Sequence, residues 1–375
     1  MKIVADDKIP FLQGVFEPFA NVVYLPGLNI KKKDVQDADI LIVRTRTRCD
    51  ENLLSGTAVK LIATPTIGTN HLDIPWLEAA GIKWFNAPGC NSGSVYQYIT
   101  SILSLLINNG LIPEETTIGI VGVGMIGSKI EKFAKILGFN LLLNDPPREK
   151  NEQPTLTTFV NFETILKQSN IIIFCTTLTF DGDDPTYHLF DFNALDIIKD
   201  GSIIINTSRG EVINGKALIK GIDSGKISKV ALDVWENEPD ISLELLNKTW
   251  VATPHVAGFS ADGKANGTTM IVRKISRFCN LKLDNWKPNS IPLPECTTIK
   301  IEKSNKKPYQ IVAETILKTY NPKIDDALLR SNPLEYEKIR NNHLLRREFE
   351  TWNVELPTDN CCMKMLNELG FHNAP

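Results

Sequence analysis

Short apolar runs punctuate the first part of the chain. They lie at residues 2–5, 39–43, 60–63 and 82–85, separated by helix-like polar–apolar stretches and by turn residues such as Pro26-Gly27. A brief continuous apolar run is what a strand buried on both faces requires. Strands that alternate with helices pair in parallel through crossover connections. Residues 94–109 form a longer apolar stretch with a polar start, which predicts a buried helix linking two domains.

The second half repeats the pattern. Ile118–Val121 reads as a strand, Gly122–Gly127 as the turn after it and Ser128–Leu137 as a helix stopped by Gly138. Strands follow at 140–144, 171–175, 202–206, 229–232 and 250–253, the last leading into Pro254-His255. After residue 286 the character changes. The segment Trp286–Pro294 is rich in proline, which ends helices. Beyond it, strand-like and helix-like pieces mix with a charged run, Arg346-Arg347-Glu348. The expected architecture is α/β, with two doubly wound parallel-sheet (Rossmann-like) domains plus a small α+β C-terminal domain. The expected division is 1–98 with 257–286, then 99–256, then 287–375.

Composition narrows the class. The chain has 375 residues, 42% hydrophobic and 23% charged, with a formal net charge of −3. No basic excess favours nucleic acid or an anionic membrane. No stretch reaches the roughly 18 apolar residues of a membrane span, and the two early acids, Asp6 and Asp7, do not suit a signal peptide. The seven cysteines are odd in number and form no Cys-x-x-Cys pair. Neither a disulfide framework nor a metal site is expected, and scattered thiols fit a reducing cytosol.

The glycine turn carries the first chemical signal. In Gly122-x-Gly124-x-x-Gly127 the first glycine permits the tight turn, the second lets backbone approach a pyrophosphate, and the third lets helix and strand pack closely. The helix start beyond presents free N–H groups to that anion. Asp145 closes the next strand, 18 residues after Gly127. That is the place of an acid that binds a ribose 2′-hydroxyl and repels a 2′-phosphate, which favours NAD. Arg148, three residues on, partly compensates that charge.

Three further segments end at predicted strand ends, where ligands gather in open parallel sheets. One is Ile205–Gly210, which delivers Arg209, whose guanidinium can grip a carboxylate with two hydrogen bonds. Another is Ala231–Pro239, with Asp233, Glu236 and Glu238. The third carries His255, 17 residues after Glu238. A carboxylate bonded to an imidazole fixes its tautomer and favours its charged form. Any of the three acids can be that partner. His71, His188 and Cys175 are assigned no role.

Thr207-Ser208-Arg209-Gly210, Asp233–Pro239 and Thr253–Gly258 resemble signatures of the D-isomer-specific 2-hydroxyacid dehydrogenases, over about residues 1–285. The resemblance implies hydride transfer between NAD and a small hydroxy acid. It implies catalytic roles for Arg209 on the substrate carboxylate, His255 as acid/base and Glu238 as its partner. It places Gly122, Gly124, Met125, Ile126, Gly127, Asp145, Thr176, Thr207, Ser208, Asp233 and Gly258 at the cofactor.

Pro88–Asn91, Pro146-Pro147, the aromatic after Gly258 and the tail Leu329–Arg340 with Arg346–Phe349 resemble one branch of that family. Its members act on a phosphorylated hydroxy acid and carry a C-terminal dimerisation domain, so a homodimer is implied. Substrate contacts fall on Thr45, where the branch usually has Ser, on Thr66, and on Phe259, where Tyr and its hydroxyl are expected. Arg44, with Arg46 and Arg48 at strand spacing, and Arg346, reaching a partner subunit's site, are candidate phosphate ligands. Other readings are a phosphoglycerate or hydroxypyruvate enzyme, against which the tail argues, and a NAD-sensing binding protein, against which the Arg–Glu–His set argues.

Overall fold

The structure is a computed structural model that describes residues 1–151, 158–302, 305–343, 346–356 and 360–374. The chain divides into two compact units, 1–92 with 260–292 and 93–259 with 293–375.

The first unit holds a parallel five-stranded sheet: β1 (Lys2–Asp6), β2 (Asn21–Leu25), β3 (Ile40–Ile42), β4 (Leu61–Ala63) and β5 (Lys83–Phe85). Their order across the sheet is β2-β1-β3-β4-β5. Ile40, Leu41, Ile42, Leu61, Ile62 and Ala63 are all buried, as strands covered on both faces should be. β2, apolar at Val22–Leu25 but only half-buried at the sheet edge, is not among the expected strands. The order reverses between β1 and β3, and such a switch point opens a crevice at the carboxyl ends of the strands.

The second unit holds a parallel six-stranded sheet: β6 (Thr117–Val121), β7 (Asn140–Asn144), β8 (Ile171–Phe174), β9 (Ser202–Asn206), β10 (Ile227–Leu232) and β11 (Val251–Ala252). The order is β11-β10-β9-β8-β6-β7, so the switch falls between β6 and β8. The helix Met125–Leu137 starts three residues earlier than expected, with Gly124 as its N-cap and Gly138 as a left-handed C-cap at φ 87°. Half of the expected turn is therefore the first helical turn.

The tail adds a parallel three-stranded sheet: β12 (Thr298–Lys300), β13 (Asn353–Glu355) and β14 (His372–Asn373). This segment keeps a sheet of its own and lies in the same compact unit as residues 93–259. The reason is a shared core. Val312, Ile316, Phe349, Leu366 and Phe371 of the tail pack in one apolar cluster with Tyr98, Ile102 and Leu106 of the helix Ser92–Asn108 and with Phe133. Gly93 makes that docking possible, since a Cβ there would lie 1.9 Å from Glu348 Oε2. The Glu348 carboxylate instead sits at the helix start and accepts the Ser94 hydroxyl at 2.9 Å, where the helix dipole favours an anion.

Candidate active site

β9, β10 and β11 are neighbours, with Asn206 opposite Leu232 and Leu232 opposite Ala252. The segments after these strands therefore leave the sheet at one edge, side by side. Asn206, buried at the end of β9, organises the first of them. Its Oδ1 accepts the N–H and the hydroxyl of Ser208, and its Nδ2 donates to the Arg209 carbonyl. Arg209 is half-buried, and its Nη1 donates to the Ser208 carbonyl at 2.7 Å. Gly210 lies directly against the next segment, since a Cβ there would be 2.0 Å from the Trp235 carbonyl carbon.

The second segment carries the acids, and the structure separates their roles. Glu238 Oε1 accepts the Trp235 N–H at 2.8 Å, and Oε2 accepts His255 Nδ1–H at 2.7 Å. A carboxylate only accepts, so the imidazole proton belongs on Nδ1 and Nε2 is the unprotonated nitrogen. Burial pushes the Glu238 carboxyl upward. The bond and charge of His255, the Trp235 N–H and the charge of Arg340 outweigh it and hold it below its ordinary value. Glu236 belongs to another pair, with His188 Nε2 at 2.7 Å.

Asp233 is wholly buried and grips the loop that presents His255. It accepts the Thr253 hydroxyl and the N–H groups of Val256 and Ala257 at 2.7–2.9 Å, while its carbonyl accepts the His255 N–H. Burial raises its carboxyl, and His255, the Thr253 hydroxyl and the two N–H groups act against that rise. His255 sits at φ 55°, in the left-handed region, which costs a non-glycine residue on the order of 1 kcal/mol. The Asp233 anchors on both sides of it hold it there.

Glu238→Gln is expected to lower kcat on the order of 10²-fold, since an amide fixes the tautomer less well and does not stabilise an imidazolium. The sign of the pH effect follows from the depressed carboxyl. The ionised Glu238 carboxylate and its bond are fully present above the ordinary carboxyl value and are lost as pH falls through the lowered one. Activity and melting temperature measured from pH 7 to pH 4 should therefore fall on the acid side in the parent and change less in the variant. A variant with parental kcat at pH 7 would remove Glu238 from the mechanism.

The glycine turn follows β6, at the switch point between β6 and β8. Gly122 is at φ 88°, and a Cβ there would lie 2.8 Å from the N and Cα of Thr176. Gly127 excludes a Cβ because Gly122 O would be 2.2 Å away, which is the close packing of helix on strand. Around Gly124 the protein leaves open space, with nothing within 4 Å of a Cβ. The turn thus offers backbone N–H groups and room for a pyrophosphate, so these residues fit a dinucleotide. Met125 is 59% exposed beside this space, whereas Ile126 packs into the core and contributes backbone only. Asp145 stands beside the turn, accepting the N–H of Val123 and of Arg148 at 2.8 and 3.1 Å. Arg148 folds back onto the Val123 carbonyl. Thr207 Oγ1 is buried with no partner among the described residues, which leaves it available to a ligand.

Other expectations change. Arg44, Arg46 and Arg48 do not share a strand face, because β3 ends at Ile42. Arg44 closes its fork on the buried Asp6, with both bonds at 3.1 Å, so its charge is compensated within the first unit. Arg48 donates to the Asn70 carbonyl. Thr45 is exposed at the switch-point edge of that unit, and the Thr66 hydroxyl bonds Thr64 Oγ1 at 2.8 Å and the Gly68 carbonyl. Arg346 is not a surface cation. It is 9% exposed and spends its donors inside its own chain. Phe259, next to Gly258, places its ring edge-on to His343 at 6.1 Å and under Arg340 at 5.8 Å. His71 is buried, and burial with the charge of Arg48 takes it down to about 4, so it is neutral and structural. The polar support behind the His255 loop joins Tyr98, Thr253 and Arg346, a role the sequence does not mark for any of them. Its residues are remote in sequence, and only the buried polar ends of apolar runs hint at them.

Residues 108–257 match the D-isomer specific 2-hydroxyacid dehydrogenase NAD-binding domain, and residues 290–370 match a domain of unknown function (DUF3410). The chain is 46% identical to an erythronate-4-phosphate dehydrogenase of Bacteroides thetaiotaomicron, covering 94% of this chain and 99% of that one. It is 38% identical to the Proteus mirabilis protein of the same name, covering 99% of both. Among solved structures, a D-lactate dehydrogenase from Aquifex aeolicus complexed with NAD and lactic acid shares the fold. It has a TM-score of 0.62 and 21% identity, over 76% of this chain and 97% of that one. An NAD-dependent formate dehydrogenase from Staphylococcus aureus in complex with NAD superposes with a TM-score of 0.57 at 22% identity, over 75% of this chain and 96% of that one. Near-complete overlap at these identities, on top of the geometry above, makes the chain a member of the erythronate-4-phosphate dehydrogenase family, within the D-isomer specific 2-hydroxyacid dehydrogenases.

Proposed function

We propose that this chain oxidises 4-phospho-D-erythronate at C2 to 3-hydroxy-2-oxo-4-phosphooxybutanoate, with NAD as hydride acceptor, in the synthesis of pyridoxal 5′-phosphate. The observation that carries the reading is the His255–Glu238 pair, bonded at 2.7 Å on the sheet edge that also presents Arg209. Arg209 holds the substrate carboxylate with its fork and orients C2. His255 Nε2 takes the proton of the C2 hydroxyl, and in the reverse direction returns it. Glu238 stabilises the imidazolium that forms. NAD, when bound, supplies the hydride acceptor. Gly122, Gly124 and Gly127 with the N–H groups of Met125 and Ile126 would hold its pyrophosphate, and Asp145 its ribose. Thr176, Thr207, Ser208, Asp233 and Gly258 would line the rest of that site.

Thr45 and Thr66 are proposed substrate contacts, and Phe259 covers the place of a tyrosine without supplying its hydroxyl. The charge-compensated Arg44 supports a positioning role in the first unit better than that of a lone phosphate ligand. Assembly as a homodimer through residues 287–375 and a cytoplasmic location complete the proposal. The seven cysteines, none of them in a disulfide, support the second.

The test is NADH formation followed at 340 nm with 4-phospho-D-erythronate, 3-phosphoglycerate and glycerate. The expected result is a kcat/KM for phosphoerythronate at least about 10²-fold above the other two. Preference for 3-phosphoglycerate would replace this substrate, and no turnover of any hydroxy acid with intact NAD binding would leave a binding protein.

A further inference from the structure

The two residues that follow His255 are held along both edges of their backbone. Asp233 takes the N–H groups of Val256 and Ala257. On the opposite edge, Arg346 takes their carbonyls. Its Nη1 donates to Val256 O at 3.2 Å and its Nη2 to Ala257 O at 2.6 Å. The same guanidinium reaches the helix Ser92–Asn108, donating from Nη2 to Ser94 O at 3.1 Å and from Nε to Gln97 Oε1 at 2.9 Å. Its plane lies over the Tyr320 ring, 4.0 Å from the centroid. Tyr320 is fixed in turn, since its hydroxyl donates to Asp325 Oδ2 at 2.7 Å and the same oxygen bonds His343 Nε2 at 3.0 Å. Gln97 is held by Thr319 and by the Arg347 carbonyl.

An arginine buried to this degree is costly unless its donors are satisfied. Here four polar atoms and a ring face satisfy it, all within one unit. A fixed fork of this shape can straddle two carbonyls, whereas an ammonium binds as a point. What it fixes is the loop that carries the acid/base imidazole at a left-handed φ.

We infer that Arg346, contributed by the C-terminal segment, is a positioning residue of the active site, clamping the Val256–Ala257 carbonyls so that His255 is presented in its working orientation. The inference rests on His255 being the acid/base. It gives the tail a part in turnover within its own chain, in addition to any part in assembly. Tyr320, Asp325 and His343 form the buried polar base on which the clamp is mounted.

The experiment compares the purified full-length parent, Arg346→Lys, Arg346→Ala and His255→Ala. Each is assayed for kcat, for KM of both substrates, for NAD binding by calorimetry and for the pH profile of kcat/KM. Misplacing an acid/base by about 1 Å costs on the order of 10²-fold. Arg346→Ala should therefore lose about 10²-fold and Arg346→Lys about tenfold in kcat, with the NAD dissociation constant within about twofold of the parent. Guanidinium ion at low millimolar concentration should restore part of the Arg346→Ala rate, and sodium chloride of equal ionic strength should not. A merely structural arginine would lower the melting temperature without a kcat loss that guanidinium rescues. If Arg346 variants do not fold, Gln97→Met decides. It leaves the arginine in place but removes its Nε acceptor, and a severalfold fall in kcat is expected. A folded Arg346→Lys, or that Gln97 variant, with parental kcat and pH profile overturns the inference. Turnover surviving in His255→Ala would instead overturn the reading it rests on.

Discussion

His255→Ala should turn over hydroxy acid about 10²–10⁴-fold more slowly than the parent, the range for loss of a positioned general acid/base. The expectation has a structural reason for its specificity. The imidazole bonds Glu238 through Nδ1, and the loop around it is held by Asp233 through backbone groups that an alanine retains. The fold and the glycine turn should survive, so NAD affinity measured by calorimetry should stay within about twofold. Single-turnover measurements would separate chemistry from product release. A kcat within tenfold of the parent would end the role given to His255.

The second large effect is at Arg209. Arg209→Lys keeps the charge and the backbone, and Asn206 Nδ2 still bonds the carbonyl of residue 209. What is lost is the two-pronged grip on a carboxylate. A charged bidentate pair reduced to a single point contact costs about 3–4 kcal/mol, so kcat/KM should fall on the order of 10²–10³-fold. If orientation is the main service, kcat falls as well as KM rising. Saturation kinetics with each substrate varied against saturating partner would show the split. Loss confined to KM would make Arg209 a simple anchor, and unchanged constants would remove it from the site.

The glycine turn was legible because three small residues at fixed offsets answer to three local demands, and the structure meets them at Gly122, Gly124 and Gly127. The edge that carries Arg209, Glu238 and His255 was also legible, since each follows a run whose apolar residues could only be a buried strand. Which of three acids meets the imidazole was not. That depends on how the segment after β10 turns, and spacing alone does not distinguish Glu236, bonded to His188, from Glu238.

The arginines were the hardest to read. A sequence gives the sign of a charge but not its partner. Asp6 and Arg44 lie 38 positions apart, and Arg346 lies 249 from Gln97. Both arginines read as surface cations until the chain is folded.

The contact between Gly210 and the Trp235 carbonyl bears on any effort to evolve this enzyme toward new acids. Saturation libraries usually randomise neighbours together, and position 210 adjoins the residue such a library would target first. Any side chain there must displace backbone, since its first carbon would fall 2.0 Å from the Trp235 carbonyl carbon and 2.3 Å from Glu236 N. Codons at 210 should therefore be left fixed. Diversity is better spent at Thr45, whose side chain is exposed.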